Sequence, residues 1–259
     1  MTNQPLDIIP MWALYFLTVL AMLATMEAGF RLNKRLRRKS PDKTDVGLGG
    51  MVGASLGLLA FLLAFVVGFG SNINTERRHL VVDEATAIGT TYLRAGYLDE
   101  PYRTEARGLL REYTDLRVAV VVTKQVAAAI IRSEQIHNEL WASAEKIAVE
   151  SPLPTTALYL SALNEVIDRH AERVAVGVDI RISPSVLLGL YVVALFTTFL
   201  VGVQSGDGGK RNYLAHIVLV LILSVVFLLI VDLDRAQEGL LRVNQQAMFD
   251  LQRQLNAGP

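Results

Sequence analysis

Four stretches of this sequence are long, apolar and nearly free of charge, and they constrain the fold more than any other feature. They lie at about 11–30, 48–70, 185–203 and 213–231. An α-helix rises roughly 1.5 Å per residue, so about twenty such residues cross the ~30 Å hydrocarbon core of a bilayer. Only 19% of the chain is charged, against about 25% in an average soluble domain. The sequence therefore predicts an integral membrane protein with four spans.

The order of these stretches predicts the domain organisation. Residues 1–70 form an N-terminal pair of transmembrane helices, 71–184 a polar extramembrane insert, 185–233 a C-terminal pair of transmembrane helices, and 234–259 a C-terminal tail. The predicted fold class is an all-α membrane protein with four transmembrane helices and a helical-bundle insert between the second and third spans.

The insert is predicted to be helical throughout. Nothing interrupts the second span until Asp99, so it continues into the insert as one long helix. A further helix begins at Pro101, since proline suits the first helical turn. The β-branched run 118–122 is compatible with a short strand or with continued helix, and the helical phase resumes at Val126. Breakers at 151–154 and at Pro184 bound the last helix of the insert.

Basic residues predict the orientation. The loop after the first span carries seven of them, and the loop between the third and fourth spans adds Lys210 and Arg211. The seven are Arg31, Lys34, Arg35, Arg37, Arg38, Lys39 and Lys43. Short loops rich in Lys and Arg stay in the cytoplasm. Both short loops are therefore predicted to be cytoplasmic, with the insert and both termini outside.

Candidate catalytic or metal-binding groups do not form a recognisable pattern. The chain has no cysteine, and its histidines, His79, His137, His170 and His216, are scattered. No phosphate-binding loop, nucleophile elbow or dinucleotide fingerprint is present. Lys plus Arg and Asp plus Glu both number 25, so bulk charge does not indicate nucleic acid as a partner. The prediction is a protein that is not an enzyme and needs no metal or cofactor.

Several charged side chains are spaced for pairing along one helix. Glu27 and Arg31 are four residues apart near the end of the first span, where pairing is favoured over a functional role. A second group predicts a solvated, salt-bridged helix face: Glu165, Asp168, Arg169, Glu172 and Arg173.

The second span carries two stripes with different meanings. The small residues Gly49, Gly53, Gly57, Ala60, Ala64 and Gly68 recur at three- and four-residue spacing. Such stripes let helices in a membrane approach closely, within one chain or between subunits. Phe61, Phe65 and Phe69 form an aromatic stripe one turn apart. These rings either face lipid or other spans, or surround an axis shared by several copies as an apolar constriction.

The segment AFLLAFVVGFGSNINTERRHLVVDEATAIGTTYLR resembles bacterial membrane proteins of the bestrophin-like family, and the resemblance continues through HNELWASA and ALNEVIDRHAERVAV to VDLDRAQEGLLRVNQQAMFDLQ. It implies four spans, a helical insert after the second, and a pentameric anion pore in the bacterial inner membrane. The run Phe65-Val66-Val67-Gly68-Phe69 matches the neck context of bestrophins, which implies a neck at Phe61, Phe65 and Phe69.

Two features depart from bestrophins. Their calcium-binding acidic cluster has no clear counterpart here, because Asp232, Asp234 and Glu238 are interspersed with Arg235. Bestrophins keep the insert cytosolic, whereas the basic loops place it in the periplasm here.

These observations predict an oligomeric ion channel that interacts with membrane lipids and small ions, by resemblance a pentamer. Three basic residues downstream of the neck, Arg77, Arg78 and His79, would favour anions, and Arg77 and Arg78 are the candidate ion-selectivity residues. The more ordinary outcome is that they pair with Asp83 and Glu84 within the same helix. The alternative is a non-conducting membrane scaffold or sensor whose helical insert binds a partner protein. That alternative predicts phenylalanine rings buried against neighbouring spans.

Overall fold

The structure, a computed structural model, describes residues 9–39, 48–123, 125–206, 212–235, 241 and 243–257. Across these residues the chain is helical and contains no strand. The helices are α1 (Met11–Lys39), α2 (Leu48–Arg94), α3 (Tyr102–Thr123), α4 (Val126–Glu150), α5 (Pro154–Val174), α6 (Pro184–Ser205), α7 (Tyr213–Asp234) and α8 (Gln246–Asn256). The predicted all-α fold is confirmed.

Four helices, α1, α2, α6 and α7, are long and apolar enough to cross a membrane. They contain the four apolar stretches, so the predicted number of spans is confirmed. Of the basic loop residues, Lys43, Lys210 and Arg211 lie outside the described residues. Within α1, Arg31 Nε lies 2.8 Å from Glu27 Oε1, which confirms their predicted pairing.

Helix α2 continues well beyond its apolar part. It runs unbroken to Arg94 and ends in a 3₁₀ turn at Ala95–Tyr97, as the absence of a breaker before Asp99 predicted. The run 118–122 lies inside α3, so the helical alternative is correct and the strand alternative is wrong. Val118 of this run packs against the apolar core of the insert, and this packing in the helix outweighs its strand preference.

The chain forms two compact units, of which one consists of Thr2–Asn72 and Arg181–Arg242. It holds α1, the apolar part of α2, α6 and α7. Glycines allow α1 and α6 to touch, because a Cβ at Gly202 would collide with the Met26 carbonyl and one at Gly29 with the Phe199 carbonyl. A hydrogen bond of 2.8 Å between the Thr25 and Thr198 hydroxyls also joins these helices, as is usual for polar groups within membranes.

The other unit consists of Ile73–Ile180 and Val243–Pro259. The remainder of α2, with α3, α4, α5 and α8, surrounds one apolar core whose fully buried side chains include Ile88, Leu110, Tyr113, Ile136, Leu140, Tyr159, Leu163 and Met248. Helix α8 falls in the segment 234–259, which was predicted to be a C-terminal tail. Its buried Met248, Leu251 and Leu255 lie on one helical face, which explains why it joins this bundle.

Candidate functional site

The aromatic face of α2, which we define as Phe61, Phe65 and Phe69, is uncovered by the other residues that the structure describes. The three side chains are 67%, 68% and 47% exposed. Leu59 and Leu63, on the other side of the helix, are buried within the unit that holds α1, α6 and α7. The chain therefore buries one side of α2 and leaves its aromatic side open.

The small-residue face of α2 is open as well. We define it as Gly49, Gly53, Gly57, Ala60, Ala64 and Gly68. A Cβ added at Gly53, Gly57 or Gly68 would meet nothing within 4 Å, and one at Gly49 would meet only the Gln204 side chain, at 3.3 Å. In the described part of the chain, the close helix approach that such a face permits is thus made by Gly29 and Gly202 rather than by α2.

The two arginines downstream of the aromatic face have different surroundings. Arg77 is only 5% exposed. Its guanidinium donates to the carbonyls of Val176, at 3.2 Å, and Ile180, at 3.1 Å. These carbonyls lie in and just after a π-helical turn, Ala175–Asp179, that follows α5. Arg78 is exposed. Arg77 therefore stabilises the end of α5, and of the two only Arg78 is accessible.

A buried ionic cluster lies at the centre of the insert. Glu84, on α2 beyond its apolar segment, is fully buried and pairs with Arg117 of α3, whose Nε is 3.2 Å away, and with Arg173 of α5. The hydroxyl of Tyr113 also donates to this carboxylate. Burial alone would raise the pKa of Glu84, but Arg117 and Arg173 hold it well below its ordinary value. The carboxylate is thus ionised and connects three helices.

Two histidines extend this cluster. The ring of His137 packs 4.8 Å from that of His170, and the Tyr113 hydroxyl lies 2.9 Å from His170 Nδ1. Burial, with a contribution from the neighbouring His170, lowers the pKa of His137 from 6.5 to about 4. Burial and Glu84 raise the pKa of Tyr113. Around neutral pH the cluster therefore holds one carboxylate, two guanidiniums, a neutral phenol and at least one neutral imidazole.

The acidic residues at the end of α7 are bound to donors of the chain itself. Asp234 accepts from the Arg181 guanidinium at 2.6 Å and from the backbone N–H of Ile182 at 2.7 Å. Asp232 accepts from the backbone N–H of Leu241 at 3.0 Å. Among the described residues no group of three His, Asp or Glu side chains is arranged to hold a metal ion. Glu238 lies outside the described residues.

Comparison with known proteins identifies the family. The model of the bestrophin-like domain matches residues 12–248, which is almost the whole chain. The chain belongs to the bestrophin-like family. The predicted resemblance is confirmed over the length that the sequence motifs indicated.

Solved structures of a bacterial bestrophin homologue from Klebsiella pneumoniae share the bestrophin-like fold. Crystal structures of its tyrosine-to-alanine and aspartate-to-alanine variants match with TM-scores of 0.64 and 0.62 at 14% identity, over 94% of this chain and 97% of theirs. An isoleucine-to-threonine variant matches with a TM-score of 0.61, over 95% and 99%. No curated protein matches the sequence.

The Glu84 cluster of this bestrophin-like chain was not predicted from the sequence. Arg173 was predicted to lie on a solvated face with Arg169, but of the two only Arg169 lies there, 2.6 Å from Glu165 and 2.8 Å from Glu172. A signal was available on α2, because Glu84 lies one turn from both Leu80 and Ile88, on an apolar stripe. A carboxylate on such a stripe is buried and needs a cationic partner from another helix.

Proposed function

We propose that this bestrophin-like chain assembles into an oligomeric ion channel, with the aromatic face of α2 as its apolar neck. The observation that carries the proposal is the open side of α2. A membrane helix that presents a stripe of phenylalanines and a stripe of small residues, neither covered by the described part of its own chain, has surfaces suited to other copies of itself.

The two faces suit different roles in such an assembly. A small-residue face permits close contact between helices, which lipid does not otherwise drive. On a helix with about 100° per residue, Phe65 lies about 100° from Ala64, so contact between copies through the small residues leaves the phenylalanines directed elsewhere. Rings of phenylalanine around an axis form a hydrophobic constriction of the kind that gates by dewetting.

The resemblance to bestrophins supports five copies around the axis, and the fold shared with a bacterial bestrophin homologue supports the same arrangement of spans. The assembly is placed in the bacterial inner membrane, where the basic end of α1 lies in the cytoplasm and the insert in the periplasm. Small ions are the permeating species, and the surrounding partners are membrane lipids.

Ion flux into liposomes tests this proposal. Purified protein is reconstituted, and flux of several monovalent ions is compared for the wild type, Phe65→Ala and Phe196→Ala. Phe196 lies on α6 and is 67% exposed, against 68% for Phe65, so it is a matched control. We expect wild-type flux, a several-fold increase on removal of the Phe65 ring, and no change for Phe196→Ala.

Absence of flux for every ion tested, in the wild type and in Phe65→Ala, would overturn the channel. If the protein were still oligomeric, that result would favour the non-conducting scaffold or sensor. An equal increase for Phe65→Ala and Phe196→Ala would show that the neck is not at the aromatic face.

A further inference from the structure

The aromatic face of α2 continues, along the same helix, as a line of polar side chains. Helix α2 is continuous from Leu48 to Arg94, so the helical period fixes the directions of its residues. At about 100° per residue, Glu76 lies about 20° from Phe65 and Asp83 points in the same direction as Phe65. Asn72 lies between them and the neck on the same face.

Both carboxylates are available to solvent. Glu76 and Asp83 are exposed, and neither forms an ion pair with another residue that the structure describes. This contrasts with Glu84, next to Asp83, which is fully buried against two guanidiniums. Glu76 and Asp83 therefore add negative charge to the aromatic side of the helix, where nothing in the described chain neutralises it.

The nearby arginines point elsewhere. Arg77 lies about 120° from Phe65, and its guanidinium donates to the Val176 and Ile180 carbonyls. Arg78 lies about 140° from Phe65 on the other side, in the direction of Ala60, and so continues the small-residue face. His79 is the remaining ionisable side chain from 72 to 83 near the aromatic face, about 40° from Phe65.

We propose that Glu76 and Asp83 form two rings of carboxylates beyond the neck and make the channel prefer small inorganic cations. This inference rests on the proposed channel and deepens it. Rings of acidic side chains select cations, because a cleft lined by one sign of charge concentrates its counter-ions. Because Arg77 and Arg78 point away from the aromatic face, the proposed preference is for cations, in place of the anion preference predicted from the sequence.

The reversal potential of the current through the reconstituted protein tests the proposal. The full-length protein is reconstituted in a planar bilayer with a tenfold KCl gradient. We expect the wild type to favour K⁺ over Cl⁻ by about tenfold or more. The double variant Glu76→Gln/Asp83→Asn should bring this ratio close to one while current persists. Two controls, Glu134→Gln on an exposed part of α4 and Arg78→Gln, should leave the ratio unchanged.

A second measurement covers the case in which the double variant does not assemble. The chain contains no cysteine, so Glu76→Cys provides a single reactive thiol. Modification of this thiol by a negatively charged, water-soluble thiosulfonate should restore the K⁺ preference. A positively charged reagent of the same size should lower it further.

The outcomes separate the two proposals. A wild-type current that favours Cl⁻, or a K⁺ preference that survives both neutralisation and the positive reagent, overturns the carboxylate rings and leaves the channel intact. A Cl⁻ preference that is lost in Arg78→Gln would return selectivity to the basic residue. No wild-type current for any ion overturns the channel, and the carboxylate rings with it.

Discussion

Two sets of glycines in apolar helices have opposite surroundings in this protein. Gly29 and Gly202 lie where α1 and α6 touch, and neither has space for a Cβ. Gly53 and Gly57 of α2 face open space. Both sets are glycines in apolar helices, yet one set lies where two helices of the chain touch, and the other is left uncovered by the residues that the structure describes.

The same contrast holds across α2 itself. On one side, Leu59 and Leu63 are buried in the unit that holds α1, α6 and α7, and Glu84 is buried in the helical bundle of the insert. The other side carries the aromatic and small-residue faces. Changes on the closed side should therefore reduce stability, and changes on the open side should affect assembly or conduction and leave the fold intact.

The largest effect is expected from loss of the buried carboxylate. Glu84→Ala leaves Arg117 and Arg173 buried without their counter-ion, which costs about 3–5 kcal/mol of unfolding free energy. Denaturant unfolding of the purified protein measures this loss. Asp83→Ala, at the next residue but exposed, is the control and should unfold like the wild type. Similar unfolding curves for the two variants would contradict the burial of the Glu84 side of α2.

A smaller effect is expected where α1 and α6 touch. Gly202→Val forces a side chain against the Met26 carbonyl, and overpacking of this kind costs about 1–3 kcal/mol. Gly57→Val should leave the unfolding transition of the subunit in place and instead reduce the oligomer fraction in size-exclusion chromatography with light scattering. Exchanged phenotypes, with Gly57→Val unfolding early and Gly202→Val merely dissociating, would reverse the comparison.

Acid should weaken the insert. The pKa of His137 is about 4 when folded and 6.5 as its ordinary value, so the unfolded chain binds more protons below pH 6.5. The contribution of the neutral His137 side chain to the free energy of unfolding is fully present above pH 6.5 and is lost as the pH falls towards 4. About 1–2 kcal/mol of it is lost by pH 5. His137→Gln should flatten this dependence, whereas the exposed His79→Gln should retain it. A stability profile that is flat from pH 7 to 5 in the wild type would contradict the neutral, buried imidazole.

The smallest effect is expected at the solvated face of α5. Arg169 pairs with Glu165 and Glu172 at the surface, where such pairs contribute little. Arg169→Ala should unfold like the wild type, while Arg173→Ala, one turn along the helix, removes a partner of buried Glu84 and should unfold earlier. Equal loss in both would show that the two arginines share one environment.

Much of the fold could be predicted because it follows from local signals. These signals are the span lengths, the unbroken run from 48 to Asp99, and the breakers around Pro154 and Pro184. Each determines the structure of residues close to it in the sequence. Helix α8 was missed, because its short apolar stripe becomes meaningful only when a bundle is present to receive it.

The site was less predictable because it depends on residues distant in sequence. The phenylalanine and glycine spacing marks α2 as unusual, but spacing alone does not tell whether these faces are covered. Arg77 is buried against the turn at 175–179, and the partners of Glu84 lie on α3 and α5. These segments are about 30 to 100 residues away in the sequence, and no local pattern specifies such pairings.

The number of subunits in the purified protein tests most directly whether the open side of α2 is a surface for other copies. Native mass spectrometry from lipid nanodiscs counts them. We predict one closed oligomeric species for the wild type, with five copies, and a shift to smaller species for Gly57→Val but not for Phe196→Ala. A wild-type monomer would contradict this conclusion, because a single α2 cannot surround an axis.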